Sequence, residues 1–203
     1  MPNRDKITKK HSEAEALYKK ILKQSNDANA WINLALIYGA THRESMAIDA
    51  YNSALLIAPD NIQALGNMGF LLYQQGDLAK AEGLLQSALR ADKNYLPAIR
   101  NLASLYLKQK RIREAVPLVR QLCVIQPDKS TELKLALLLI ELENYAEAKE
   151  ILFKLQEWGQ LQFLMRRSGH WDGLDEVDAK CLRAIRQNPQ CTDEPHALTN
   201  IPT

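Results

Sequence analysis

Apolar residues recur along this chain in a long rhythm. Trp31, Leu34, Ala35 and Tyr38 are followed 34 residues on by Leu65, Met68, Gly69 and Leu72, and 34 further on by Ile99, Leu102, Ala103 and Tyr106. Large, large, small and large residues thus stand at i, i+3, i+4 and i+7, one stripe of an α-helix. Leu133, Ala136, Leu137 and Ile140 are placed in the same register as a fourth set. A second helix is expected after each first one. Ala47, Tyr51 and Ala54 lead to Pro59, and Ala115, Val119 and Leu122 lead to Pro127; Ala81, Leu85 and Ala88 lead to Lys93 where a proline would stand. Ala148, Leu152 and Leu155 align once one residue is omitted near Asn144. Small residues at fixed places let paired helices approach closely, and proline ends the second helix because it cannot extend the hydrogen-bond ladder.

Other positions agree with paired helices. Pro97 falls at a helix start, where its missing N–H costs nothing, and Pro117 falls near the end of the region that tolerates it. Gly76-Asp77 provides the turn between the helices of the second copy; His42-Arg43, Lys110-Arg111 and Glu143-Asn144 replace it elsewhere.

The first copy, 28–61, resembles the tetratricopeptide repeat at all eight signature positions: Trp31, Leu34, Ala35, Tyr38, Ala47, Tyr51, Ala54 and Pro59. The resemblance extends over roughly residues 12 to 157. It implies an all-α, right-handed superhelix, an α-solenoid of helix-turn-helix repeats. The expected division is an N-terminal half-repeat at 1–27, whose helix is Glu13–Lys23 with Ala14, Tyr18 and Ile21 inward, and full repeats at 28–61, 62–95 and 96–129. A shortened fourth repeat follows at 130–157, then capping helices at 158–190 and an irregular tail at 191–203. No first helix is expected before Glu13, because only about eleven largely polar residues remain there.

In such repeats the concave surface comes mainly from the second, fifth, sixth, ninth, twelfth and thirteenth places of each copy. The sixth places here are Asn33, Asn67 and Asn101, with Leu135 read as breaking the row. A carboxamide offers two donors and an acceptor, so a row of them can hold an extended chain by its backbone. A similar asparagine ladder marks the superhelix of O-linked N-acetylglucosamine transferases. Leu36, Phe70 and Leu138 at ninth places and Tyr73 at a twelfth are candidate side-chain pockets. Arg100 and Lys134, read as fifth places, are candidate receivers of an acidic group. The clamp that binds chaperone tails is not expected, because Ile32, Leu36, Pro97 and Asn101 stand where it needs other residues.

Charge and composition narrow the function. A net charge of +2 does not point to nucleic acid or an anionic membrane. The basic run Lys108, Lys110, Arg111 and Arg113 lacks interleaved aromatics and reads as a solvated turn. Glu13 and Glu15 read as solvated surface charge. The longest apolar stretch, 135–140, is far short of the roughly 20 residues a membrane span needs. No secretory signal is expected from the basic, polar start, so a cytoplasmic setting is. Cys123, Cys181 and Cys191 are odd in number with no CxxC pair, so free, mostly buried thiols are expected. The spacing of His170, Cys181, Cys191 and His196 matches no common zinc module, and no phosphate loop or catalytic motif is present. Neither a metal nor a cofactor is expected.

Beyond Leu155 the rhythm stops. A short helix at 160–167 is expected, and another from about Asp172 to Arg186 whose apolar face is Leu174, Val177, Cys181, Leu182 and Ile185. Trp171-Asp172-Gly173-Leu174 and Glu194-Pro195-His196-Ala197-Leu198 resemble the join between repeats and catalytic half in bacterial SPINDLY-like glycosyltransferases. The function expected is therefore non-catalytic: binding a partner protein or an extended peptide in the concave groove. The alternative is the substrate-recruiting part of a glycosyltransferase, with no sugar-nucleotide lobes in this chain. Self-assembly through the helical ends is a third class.

Overall fold

A computed structural model describes residues 2–157 and 159–160, and every described element is an α-helix. In chain order these are α1 (Pro2–Gln24), α2 (Ala28–Ala40), α3 (Glu44–Ile57), α4 (Ile62–Gln75), α5 (Leu78–Ala91), α6 (Leu96–Lys108), α7 (Ile112–Ile125), α8 (Lys129–Glu141) and α9 (Tyr145–Leu155). Two compact units, Met1–Leu105 and Tyr106–Thr203, part within α6. The expected helix and tail beyond 160, with Trp171, Cys181 and Cys191, lie outside the described residues.

Short polar side chains start several helices by accepting from otherwise unpaired N–H groups. Asp27 accepts from Asn29 N at 2.9 Å, Asn61 from Gln63 N and Ala64 N at 3.1 and 3.0 Å, and Asp128 from Thr131 N at 3.1 Å. α3 and α7 stop at Ile57 and Ile125, two residues before Pro59 and Pro127. α5 stops at Ala91 without a proline; the Asp92 side chain instead accepts from Asn94 N at 2.9 Å.

The turns inside the repeats share one conformation. His42, Gly76, Lys110 and Glu143 all lie in the left-handed region, at φ of 56°, 86°, 58° and 62°. The next residue's N–H then reaches back five residues: Arg43 to Tyr38 O, Asp77 to Leu72 O, Arg111 to Tyr106 O and Asn144 to Leu139 O, at 2.8 to 3.0 Å. This Schellman closure pairs a carbonyl that the helix end leaves open. Only the second copy uses the glycine that this backbone favours.

These turns correct the register of the fourth copy. The left-handed residues 42, 76 and 110 are evenly spaced, but the next is 143. The α7–α8 connection is Gln126, Pro127 and Asp128, one residue shorter than 58–61 or 92–95. The omitted residue therefore lies before α8, not near Asn144. Leu135 takes the buried seventh place, Ala136 the small eighth, Leu138 the tenth and Leu139 the eleventh. This restores the large-then-small order of the other copies.

The core follows the corrected pattern. Ala35, Gly69, Ala103 and Ala136 are buried where helices meet, as are Ala47, Ala81, Ala115 and Ala148 on the second helices. A Cβ on Gly69 would stand 2.9 Å from Leu85 Cγ, which explains the missing side chain. In the first unit α1 packs on α2, and α2, α3, α4 and α5 pack in succession; in the second, α7 packs on α8 and α8 on α9.

α1 begins at Pro2 rather than Glu13. Its polar first half holds no helix breaker after Pro2, and the strong helix formers Lys, Glu and Ala carry it through. Glu15 is likewise more than surface charge. It receives Arg43 Nη2 at 2.6 Å and Lys19 Nζ at 2.7 Å, tying α1 to the α2–α3 turn. These bonds, Arg43 first and then Lys19, hold its carboxyl down at about 2. The Arg43 guanidinium also lies 4.6 Å from the Tyr38 ring centroid, and Arg111 repeats the arrangement 4.3 Å from Tyr106. Arg111 further pairs with Glu114, so this member of the basic run has a structural role.

Candidate functional site

The face presented by the first helices of the first unit is built from places the helical stripe leaves over. Asn33 on α2, Asn67 on α4 and Asn101 on α6 are all half-buried. None of the three carboxamides hydrogen-bonds another described residue. Their donors and acceptors are thus available to a ligand, the chemistry expected of the row.

A cleft of about 520 Å³ opens between α2 and α4. From α2 come Leu36, Gly39 and Ala40; from α4 come Asn67, Phe70 and Gln74. All six occupy sixth, ninth, twelfth or thirteenth places. Leu36 and Phe70 keep 46% and 41% of their surface exposed, so the walls offer apolar area to a guest. The volume falls within the range of about 300–1,000 Å³ usual for pockets that hold side chains or small molecules. Tyr51 of α3 lies at the buried base, where burial and then the neighbouring Tyr95 push its hydroxyl up to about 12, so it stays uncharged. One end of the cleft is lined by His42 from the α2–α3 turn, by Glu44 at the start of α3 and by Gln75, whose Nε2 donates to Glu44 Oε2 at 2.8 Å.

Of the residues singled out from sequence, the cleft brings together Asn67, Phe70 and Leu36. Asn33, Asn101, Tyr73 and Arg100 lie in the same unit but do not line it. Leu138 is 4% exposed and packs inside the second unit, so it offers no pocket. Lys134 takes the sixth place in the corrected register, not the fifth; the position of the asparagines holds a half-buried lysine in the second unit. Gly39 and Gln74 stand at places that the repeat pattern assigns to this face, so their role was readable. His42, Glu44 and Gln75 carry no such signal, because they belong to the turn and the helix end. Gly66, at a fifth place, has another explanation: a Cβ there would stand 2.7 Å from the Tyr95 ring.

Among the described residues no group of three or more His, Cys, Asp or Glu could hold a metal ion, and no helix is long and apolar enough to cross a membrane. Cys123 is a half-buried free thiol whose titration burial pushes up.

Two family models of the tetratricopeptide repeat match residues 26–94 and 72–134. Ninety-five residues are 34% identical to the probable UDP-N-acetylglucosamine–peptide N-acetylglucosaminyltransferase SPINDLY of Arabidopsis thaliana, covering 46% of this chain and 10% of that protein. A 109-residue match at 32% identity to the human protein O-mannosyl-transferase TMTC3 covers 53% of this chain and 12% of that one. The chain thus spans only about a tenth of the length of these relatives. A crystal structure of YrrB, a TPR protein with an unusual peptide-binding site, superposes with a TM-score of 0.68 at 16% identity, over 86% of this chain and 93% of that one.

Proposed function

From the premise that the chain belongs to the tetratricopeptide-repeat family, we propose that it is a protein-interaction module whose first unit binds an extended peptide segment across α2, α4 and α6. The observation that carries the reading is the cleft, where the apolar walls of Leu36 and Phe70 stand beside the unpaired carboxamide of Asn67. A side chain of the peptide enters between Leu36 and Phe70, and Asn33, Asn67 and Asn101 pair with its backbone N–H and C=O groups. Arg100 and Tyr73 of the same unit contact whatever part of the ligand extends beyond. No residue of the chain makes or breaks a bond.

The test is a peptide-array screen, followed by titration of a selected peptide into the wild type and the Asn33→Ala/Asn67→Ala/Asn101→Ala variant. At roughly 0.5–1.5 kcal/mol per net hydrogen bond, the triple variant loses up to about 1.5–4.5 kcal/mol of affinity with its helical circular dichroism intact. Equal affinity with an intact fold removes the row from the site.

The SPINDLY match favours a second reading, in which this module recruits protein substrates for glycosyl transfer. On either reading the purified chain gives no saturable heat with a uridine-diphosphate sugar. Micromolar binding of that sugar would contradict both.

A further inference from the structure

The end of the cleft formed by the α2–α3 turn carries one carboxylate, Glu44, and no Lys or Arg lines any part of the cleft. Glu44 accepts from the neutral Gln75 amide at 2.8 Å and has no cationic partner among the described residues. The cation beside it in sequence is occupied elsewhere: the Arg43 guanidinium is held by Glu15 at 2.6 Å and lies over the Tyr38 ring. The other titratable groups of the lining, His42 and Tyr51, add no negative charge. The cleft therefore joins the apolar walls of Leu36 and Phe70 to a carboxylate that has no cationic side-chain partner among the described residues. Its chemistry differs from that expected of Arg100, which does not line it.

Building on the reading that this cleft holds an extended peptide, we propose that it selects a bulky aliphatic residue with a Lys or Arg two residues away, on the same face of the extended chain. The aliphatic side chain lies between Leu36 and Phe70. The cation two residues away meets the Glu44 carboxylate, which keeps its bond to Gln75 through one oxygen and offers the other. An acidic residue in that position is rejected by like charge, so the preference has both an attractive and a repulsive part.

The test uses the full chain and fluorescein-labelled nonapeptide probes of a Gly/Ser background with a central Leu and, two residues after it, Lys in one and Glu in the other; a third probe replaces the Leu by Ser and keeps the Lys. Anisotropy titrations are expected to show the Leu-Lys probe binding about tenfold more tightly than the Leu-Glu probe, with little binding of the Ser-Lys probe. Glu44→Gln reduces the Lys-over-Glu preference to within about twofold, and an unchanged melting temperature shows that the fold is not the cause. Equal binding of the Lys and Glu probes, or a preference that survives Glu44→Gln, overturns the proposed selectivity. If the nonapeptides fail while array-selected peptides bind, the selectivity is wrong and peptide binding stands. If no peptide binds, both fall.

Discussion

The helix pairs α4–α5 and α8–α9 are two versions of one unit: they share places that hold each pair together and differ elsewhere. Met68, Gly69, Leu71 and Leu72 of α4 are buried at the same places as Leu135, Ala136, Leu138 and Leu139 of α8. Ala81 and Leu85 of α5 likewise match Ala148 and Leu152 of α9. The remaining face is different. α4 presents Asn67 and an exposed Phe70 beside a cleft and a half-buried Tyr73, whereas α8 has Lys134, a half-buried Leu137 and a buried Ile140 at those three places. Packing constrains the shared places, because each faces another helix within its repeat. The sixth and ninth places keep solvent exposure in both copies, so they can carry a specific site in one copy and none in the next.

The comparison breaks most sharply at the shared eighth place. In Gly69→Leu the new side chain meets Leu85, and overpacking of this kind costs about 1–3 kcal/mol. Each kcal/mol lowers the melting midpoint by roughly 2–4 °C for a chain of this length. Gly39→Leu in the cleft has nothing within 4 Å of its Cβ and should leave the melt nearly unchanged. A silent Gly69→Leu would mean that the register is wrong.

The turns sharpen the comparison at smaller scale. Gly76→Ala forces a side chain into a left-handed position and costs about 1 kcal/mol, while Glu143→Gly at the matching place relieves strain and stabilises by up to about 1 kcal/mol. Urea titrations of the two variants should move in opposite directions. Movement in the same direction would show that the two turns are not equivalent.

Weaker still is the link from α1 to the α2–α3 turn. The Glu15 carboxyl is held at about 2 in the folded chain, below its ordinary value of 4.5, by its bonds from Arg43 and Lys19. Its contribution is therefore fully present above about pH 4.5 and is lost as pH falls from there towards 2. The network is partly solvated, so the effect is small, about 1 kcal/mol or less. Glu15→Gln should flatten the acid limb of the stability profile in that window; an unaltered limb would show that Glu15 does not tether α1.

Much of this architecture is legible in the residues. The stripe of Trp31, Leu34, Ala35 and Tyr38 and its echoes at 65–72 and 99–106 imply paired helices, because each buried place recurs with the geometry of a helix face. The fourth copy misleads because α8 is rich in leucine: Leu133, Leu135, Leu137, Leu138 and Leu139 offer two registers of nearly equal hydrophobicity, and only the short Gln126–Asp128 connection separates them. Asn67 and Phe70 could be read as site candidates from their places, since the same places recur on the same face. Glu44 and Gln75 could not, because they meet across a turn and a helix end through a tertiary hydrogen bond that no periodicity records.

The most direct test of the central claim is calorimetric titration of one array-selected peptide into the wild type, Asn67→Ala/Phe70→Ala and Leu56→Ser. Leu56 belongs to the same unit and is 85% exposed, but it lies on α3 outside the cleft, so it controls for nonspecific apolar binding. Losing the contact with Phe70 costs about 1.5–3 kcal/mol and the Asn67 bond about 0.5–1.5 kcal/mol, so the double variant should bind roughly 30-fold or more weakly. Leu56→Ser should bind like the wild type. Unchanged affinity in the double variant, or an equal loss in Leu56→Ser, would contradict a peptide site between α2 and α4.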